Sequence, residues 1–327
     1  MLSEAFFRDG VLVVDKPVGP TSHDVVAVVR RATRRSTDDR RSTLADRRST
    51  MKVGHTGTLD PLASGVLPLV LGKATRLAQF LSSAEKAYDA DIELGVSTTT
   101  FDRAGQAVDA SNPPRRVGEL TPSDIEMAVG AFRGTQLQAP PAFSAKKIDG
   151  DRAYDLARQN ETVTLRPAEV TVHSLDIIEW RGACLRLRLV CSAGFYVRSL
   201  AHAIGEHLGT GAHLARLVRT RSGEFSLDSA ISLADLDERP AEVASRVIPL
   251  HHLLTALPAL TLTAEGASLA ARGGFISAGH LEAAQRVPAT GKVRLMHPDG
   301  RLLAIAERRA GSGHGVSPLL HPGIVLE

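Results

Sequence analysis

Cysteine is scarce. Two thiols in 327 residues, Cys184 and Cys191, lie in one hairpin-like stretch, are too few for a disulfide scaffold and have spacing that matches no zinc motif. That usage fits a reducing, cytoplasmic setting. Long apolar runs are also missing: none approaches the roughly 18 residues needed to cross a bilayer. The opening MLSEAFFRDG lacks both a basic and an apolar segment, so neither export nor membrane spanning is expected. Net charge is small, +3, so any affinity for a polyanion depends on local concentration of Lys and Arg.

Such a concentration exists. From Arg30 to Lys52 there are nine Lys/Arg against three Asp, a local +6, which leaves the rest of the chain at −3. Within that window RRST occurs three times, starting at Arg34, Arg40 and Arg47. Polar, charged repeats cannot bury a core, so the plain reading of 34–50 is a solvated insertion made by tandem duplication. The sharper reading is an electrostatic arm for RNA. Deleting residues 34 to 49 separates the two through the salt dependence of RNA binding: an unchanged slope removes the arm.

Along the chain, GVLVV (Gly10 to Val14) reads as a buried strand and DKPVG as a turn. Thr21 and Asp24 have capping-box spacing for a helix that buries Val25, Val26, Val28 and Val29. VLPLVLG is a short strand in which Pro68 favours an edge or a strand start. Ala74 to Leu81 reads as a helix. In KAYDADIELGV, Tyr88, Ala90, Ile92 and Leu94 share one face of a strand. Capped helices are expected at Thr121 to Phe132 and Asp151 to Asn160. The irregular GTQLQAPPAFSAKKIDG between them makes about 134–164 an excursion of the binding-loop kind. Strands at about 168–180 and 183–192 lead to a helix from Tyr196 to His207, followed by extended LARLVRTRSGEF. Without regular βαβ alternation, the fold class is a mixed α/β (α+β) arrangement, a mostly antiparallel sheet with helices on its faces. After about residue 250 a strand-turn-helix and a hairpin around Pro298-Asp299-Gly300 mark a separate small unit.

GHTGTLDPLASG, residues 54 to 65, places one carboxylate, Asp60, in a Gly/Pro-rich loop with no other acid closer than Asp46 or Glu85. An unperturbed aspartic acid is only about one part in a thousand protonated at pH 7, so as a nucleophile it needs no partner base. Attack by it requires a rigid position, and a tight loop supplies one.

VDKPVGPTSHDVV, GHTGTLDPLASGVLPL, KAYDADIELG, FRGTQLQAPPAFSAKK and CSAGFYVRSLAHAIGEHLGTGAHLARLVRT together resemble, in order and spacing, the bacterial tRNA pseudouridine-55 synthases of the TruB family. The likeness covers roughly residues 10 to 235. It implies isomerisation of one uridine in the tRNA T-arm, without cofactor, on a catalytic domain of residues 1–255 followed by a small PUA-like RNA-binding domain, 256–327. It implies tRNA as the partner; because tRNA supplies the large partner surface, a monomeric chain is expected. In this likeness Asp60 is the nucleophile, and Arg198 pairs with it to hold it ionised despite burial. Tyr88 stacks on the target base and can also help remove the C5 proton; the base must leave its stack at a cost of a few kcal/mol. Tyr196 and Leu217 line the uracil pocket, and His55 helps hold the extruded nucleotides. Lys146 and Lys147 grip the T-arm phosphates, while Lys16 and Pro17 support the loop. Without the likeness, Arg198 reads as an exposed helix arginine, Tyr88 as a core tyrosine and His55 as a solvent-exposed histidine. Attack on the uracil ring or on C1′ of the ribose, and departure of uracil with return through C5, all stay open.

The sequence departs from the family at the RRST insertion, at Phe195, where threonine is commoner, and at Thr100, a place often taken by an acid, although Asp102 is present. Three rivals remain. A retaining glycosidase or nucleosidase needs a second carboxyl about 5 Å away, and none is near in sequence. An RNA-binding or tRNA-folding protein without catalysis needs only the basic arm, the excursion and the terminal unit. Metal chemistry is the weakest: HTGTLD has no ligand spacing and His251-His252 have no evident third ligand.

Overall fold

The computed structural model describes residues 7–37, 51–108, 115–141, 147–148, 151–152, 166–282, 285–309 and 319–327. In chain order the first strands are β1 (Gly10–Lys16), β2 (Val53–His55), β3 (Ala63–Leu71), β4 (Lys86–Leu94) and β5 (Gly134–Gln138), with a small β6 (Lys147–Ile148) and β7 (Asp151–Arg152) pair. Then come β8 (Ala168–Arg181), β9 (Cys184–Cys191), β10 (Ala212–Ser222), β11 (Phe225–Ser226), β12 (Ile231–Ser232) and β13 (Ile248–Pro249). They build one mixed sheet whose main path runs β12-β1-β3-β10-β4-β9-β8-β5. Only the β1–β12 and β3–β10 contacts in it are parallel. The mostly antiparallel α+β expectation therefore holds.

β1 is apolar throughout because both its faces are covered, the pattern of a fully buried strand. Leu12 and Val14 join the core beneath the helices Ser22–Thr37, Pro122–Gly130 and Val197–Leu208. Val11 and Val13 face the other way, against Leu77, Leu81 and Phe225. β4 alternates instead: Tyr88, Ala90, Ile92 and Leu94 are buried, while Asp89 and Asp91 on the opposite face bond Arg188 and Arg186 of β9 at 2.9 Å. Two capping boxes start the helices as read from sequence. Thr21 Oγ accepts from Asp24 N at 3.1 Å and Asp24 Oδ2 accepts from Thr21 N at 2.8 Å, and Thr121 and Asp124 repeat the pattern.

Four expectations change. Pro68 is at neither an edge nor a start; it lies inside β3 where that strand's second neighbour changes from β10 (residues 63–65) to β2 (69–71). The segment around Ala74 to Leu81 begins as a 3-10 turn, Gly72–Leu77, and becomes α-helical only at Ala78–Ser82. Residues 134–138, read as irregular, are the edge strand β5, because pairing with β8 satisfies their backbone. Asp151 and Arg152 are extended, and the rest of the expected helix Asp151 to Asn160 lies outside the described residues, as do 38–50 of the RRST insertion.

Toward the C-terminus, β14 (Ala259–Thr261), β15 (Lys292–Met296), β16 (Leu302–Arg309) and β17 (Leu319–Val325) form a second sheet in that order. It has its own core around Leu262, Val293 and Leu295. Leu302, Ile305 and Leu326 also pack with Val11 and Val13, so this sheet rests on the back of the main one.

Gly65 in β3 shows how tightly the sheet holds the loop before it. Its φ is +103°, and a Cβ there would stand 2.2 Å from the Arg219 carbonyl oxygen of β10. Backbone cannot yield that far. Gly65→Ala is expected to cost about 3 kcal/mol or more, as strain and overpacking add, measured as a drop in urea midpoint at constant slope.

Candidate active site

The turn between β2 and β3 carries Asp60. Gly57, at φ +131°, makes its bend, and three buried groups tie it down. Ser22 Oγ, at the start of the helix Ser22–Thr37, accepts from Leu59 N at 2.8 Å and donates to Leu59 O at 3.0 Å. Lys16, fully buried, donates to Pro17 O at 2.8 Å and to Ala63 O at 2.7 Å. Arg219 donates from Nε to Val66 O at 2.7 Å and from its guanidinium to Gly57 O at 3.1 Å. A loop without regular structure is thereby made rigid through its backbone carbonyls.

Arg198 approaches from the first turn of the helix Val197–Leu208, with Nε 2.9 Å from Asp60 Oδ2. The arginine side chain is 6 % exposed and that of Asp60 36 %, so the carboxylate alone opens toward solvent. Arg198 also donates to Thr100 O at 3.3 Å and stands 3.6 Å from Asp102 Oδ2. Burial pushes the Asp60 carboxyl above the usual aspartate range; Arg198 opposes this but does not cancel it, and the nearby Asp102 adds to the rise. The self-sufficient anion expected from sequence is thus a carboxylate whose charge depends on its guanidinium partner.

Asp60 and Arg198 sit on the wall of a cavity of about 260 Å³, whose lining includes Tyr88, Tyr196, Leu217, Phe195, Lys86 and Arg219. β4 supplies Lys86 and Tyr88, β10 supplies Leu217 and Arg219, and Leu217 pairs across to both Ala63 and Ala90. Tyr88 is 8 % exposed, and burial raises its phenol pKa. Gln138, the last residue of β5, pins Tyr196: its Oε1 accepts from Tyr196 N at 2.8 Å and its Nε2 donates to Tyr196 O at 3.0 Å. Phe195, 9 % exposed, takes its place on the cavity wall beside that tyrosine.

His55 does not line this cavity. It lies on an adjoining groove with Arg30 and Lys52, its ring 5.4 Å edge-on from His23, and burial and His23 lower its pKa. Lys146 lies outside the described residues, and Lys147 is in β6. Among the described residues no group of three or more His, Cys, Asp or Glu is arranged to hold a metal.

Sequence reading missed four contributors. Lys86 and Arg219 fall within quoted blocks, yet nothing in one dimension says that they share a wall with Asp60. Gln138 was hidden in the excursion. Asp102 is the carboxyl, distant in sequence, that comes close to Asp60 through Arg198. Its Oδ1 is occupied by Thr100 Oγ at 2.7 Å and Ala104 N at 3.0 Å, and it is off the cavity wall, which makes it a poor acid/base partner for a glycosidase.

Comparison with known proteins identifies the family. A model of the TruB family pseudouridylate synthase N-terminal domain matches residues 43–197, and one of the tRNA pseudouridylate synthase B C-terminal domain matches 198–257. The tRNA pseudouridine synthase B of Solibacter usitatus is 42% identical over 97% of this chain and 100% of its own length. The chain belongs to the TruB family. The Thermobifida fusca tRNA pseudouridine synthase B is likewise 42% identical, over 94% of this chain and 97% of its own. Among solved structures, a chain of an H/ACA ribonucleoprotein bound to a substrate RNA containing 2′-deoxyuridine has a TM-score of 0.68 at 26% identity, covering 97% of this chain and 85% of that one. A chain of a Cbf5–Nop10–Gar1 complex gives 0.68 and 26%, with 99% and 86% covered. This TruB-family chain thus has the mixed α/β architecture of the pseudouridine synthases it resembles. The family models meet at Val197 and Arg198, so the two halves of the Asp60–Arg198 pair fall in different matched segments.

Proposed function

We propose that this chain isomerises uridine 55 in the T-arm of tRNA to pseudouridine, with Asp60 as the nucleophile on a base extruded into the cavity. The observation that carries the reading is the 2.9 Å contact between Asp60 and Arg198 on the wall of a cavity lined by two tyrosines. Relatives at 42% identity over nearly the whole length are named tRNA pseudouridine synthase B. The reaction exchanges a C–N for a C–C glycosidic bond with no net redox change, and the proposal invokes no cofactor or metal.

In this reading Tyr88 stacks on the uracil ring, Tyr196 and Leu217 enclose it, and Arg198 keeps Asp60 anionic. The groove holding His55, Arg30 and Lys52 supports the RNA next to the cavity, and Lys146 and Lys147 contact T-arm phosphates without reading bases. Residues 1–255 act as the catalytic domain, and 256–327 as a PUA-like RNA-binding domain. The chain works as a monomer in the cytoplasm, since tRNA supplies the large partner surface. No helix among the described residues is long and apolar enough to span a membrane.

Release of tritium from tRNA labelled at C5 of uridine tests the reading. One tritium released per tRNA is expected. Release of free uracil would point to a glycosidase instead, and binding without release to an RNA-binding protein without catalysis.

A further inference from the structure

Two cations on the cavity wall have no carboxylate partner among the described residues. Lys86, 6 % exposed, donates from Nζ to the carbonyls of Ser82 and Ala84. An ammonium carries three N–H groups, one more than these two carbonyls take up, and Lys86 lines the cavity. Arg219, 1 % exposed, is engaged with the carbonyls of Val66, Gly57 and Thr58, and its charge lowers the Tyr88 phenol pKa against the rise from burial. Both cations flank Gly57: a Cβ there would lie 3.6 Å from Arg219 Nη1 and 3.9 Å from Lys86 Cε. Arg198, by contrast, is balanced by Asp60 and Asp102.

Buried cations without a counter-charge are costly, and such groups in a cleft point to a negative charge that arrives with the ligand or develops during reaction. Uridine is neutral at rest. Its uracil ring becomes negative when the bond between N1 and C1′ breaks. Resting on the function proposed above, we infer that Lys86, positioned beside Arg219, is an electrostatic catalytic residue that stabilises the uracil anion as it leaves the ribose.

In that step an Asp60 oxygen bonds to C1′ while the N1–C1′ bond breaks, and the electron pair departs with the ring, spread over N1, O2 and O4. The rotated ring returns the pair through C5 to C1′ and frees the Asp60 carboxylate. C5 then loses its proton to water and N1 takes one up. A phosphate of the same nucleotide could satisfy the same charge, and the test separates the two.

Single-turnover consumption is compared for tRNA bearing uridine or 5-fluorouridine at the target, because fluorine stabilises the ring anion without altering the phosphates. Lys86→Met is expected to bind tRNA like the unaltered chain but to react about 10²-fold more slowly with uridine. Its loss with 5-fluorouridine should be about tenfold smaller. Equal losses on the two substrates, or weaker binding at an unchanged rate, overturn the inference, the latter in favour of a phosphate contact. Should Lys86→Met fail to fold, Lys86→Arg keeps a cation in place. Burial, with Arg219 adding to it, lowers the Lys86 pKa to about 8. The arginine variant should therefore shift the basic limb of the pH–rate profile upward, and a limb that stays where it was overturns the inference. If the unaltered chain consumes neither substrate, the proposed function itself has failed.

Discussion

Asp60→Asn is expected to bind tRNA undiminished yet to release tritium from C5-labelled uridine at least about 10⁴-fold more slowly, the order of loss seen when a covalent nucleophile is removed. The substitution keeps the side chain's size and leaves the loop anchors of Ser22, Lys16 and Arg219 untouched, because those bonds end on backbone atoms. Arg198 retains Thr100 O and Asp102 as partners, so its guanidinium is not stranded. What disappears is the one carboxylate on the cavity wall among the described residues. Neutralising that carboxylate should not weaken attraction for a polyanion, which is why binding and chemistry should separate. Comparable release from both proteins would mean that the wrong residue has been assigned as nucleophile.

Arg198→Met tests the other half of the pair. Burial already raises the Asp60 carboxyl, and Arg198 is the largest influence lowering it. Without the guanidinium the pKa rises further. In the function proposed above the reactive form is the anion, so activity is lost as pH falls through that pKa and the acid limb of the pH–rate profile should move to higher pH. At neutral pH the single-turnover rate should fall about 10²–10³-fold and recover in part as pH rises. Arg198→Lys should lie between, keeping charge but losing the planar fork that reaches Asp60, Asp102 and Thr100 together. Asp102, with 7 % of its side chain exposed, would lose a buried counter-ion. Stability should drop by about 2–3 kcal/mol, the low side for a broken buried pair, because Asp60 keeps 36 % of its side chain exposed and can rehydrate. An acid limb that does not move would mean that Arg198 does not govern the charge on Asp60.

Much of this site was legible in one dimension because its parts are locally encoded. Capping boxes at Thr21 and Thr121, the two-faced apolar run of β1 and the alternation of β4 each follow from the chemistry of a few neighbouring residues. The strand β5 was not legible, because GTQLQ, mostly exposed at a sheet edge, has neither an apolar stripe nor alternation, and only pairing with β8 defines it. Pro68 misled for the same reason, since its place depends on which strand lies alongside.

By itself, the sequence determined the loop bearing Asp60, the helix presenting Arg198, the strand presenting Tyr88 and the family to which these blocks belong. Only the tertiary structure decided that Asp102 shares Arg198 with Asp60, that Lys86 and Arg219 share Asp60's wall without a carboxylate partner of their own among the described residues, and that His55 opens onto a neighbouring groove. The reason is physical: spacing along a chain fixes local geometry. The charge balance and water content around a carboxylate depend on which distant side chains the folded sheet brings within a few ångströms of it.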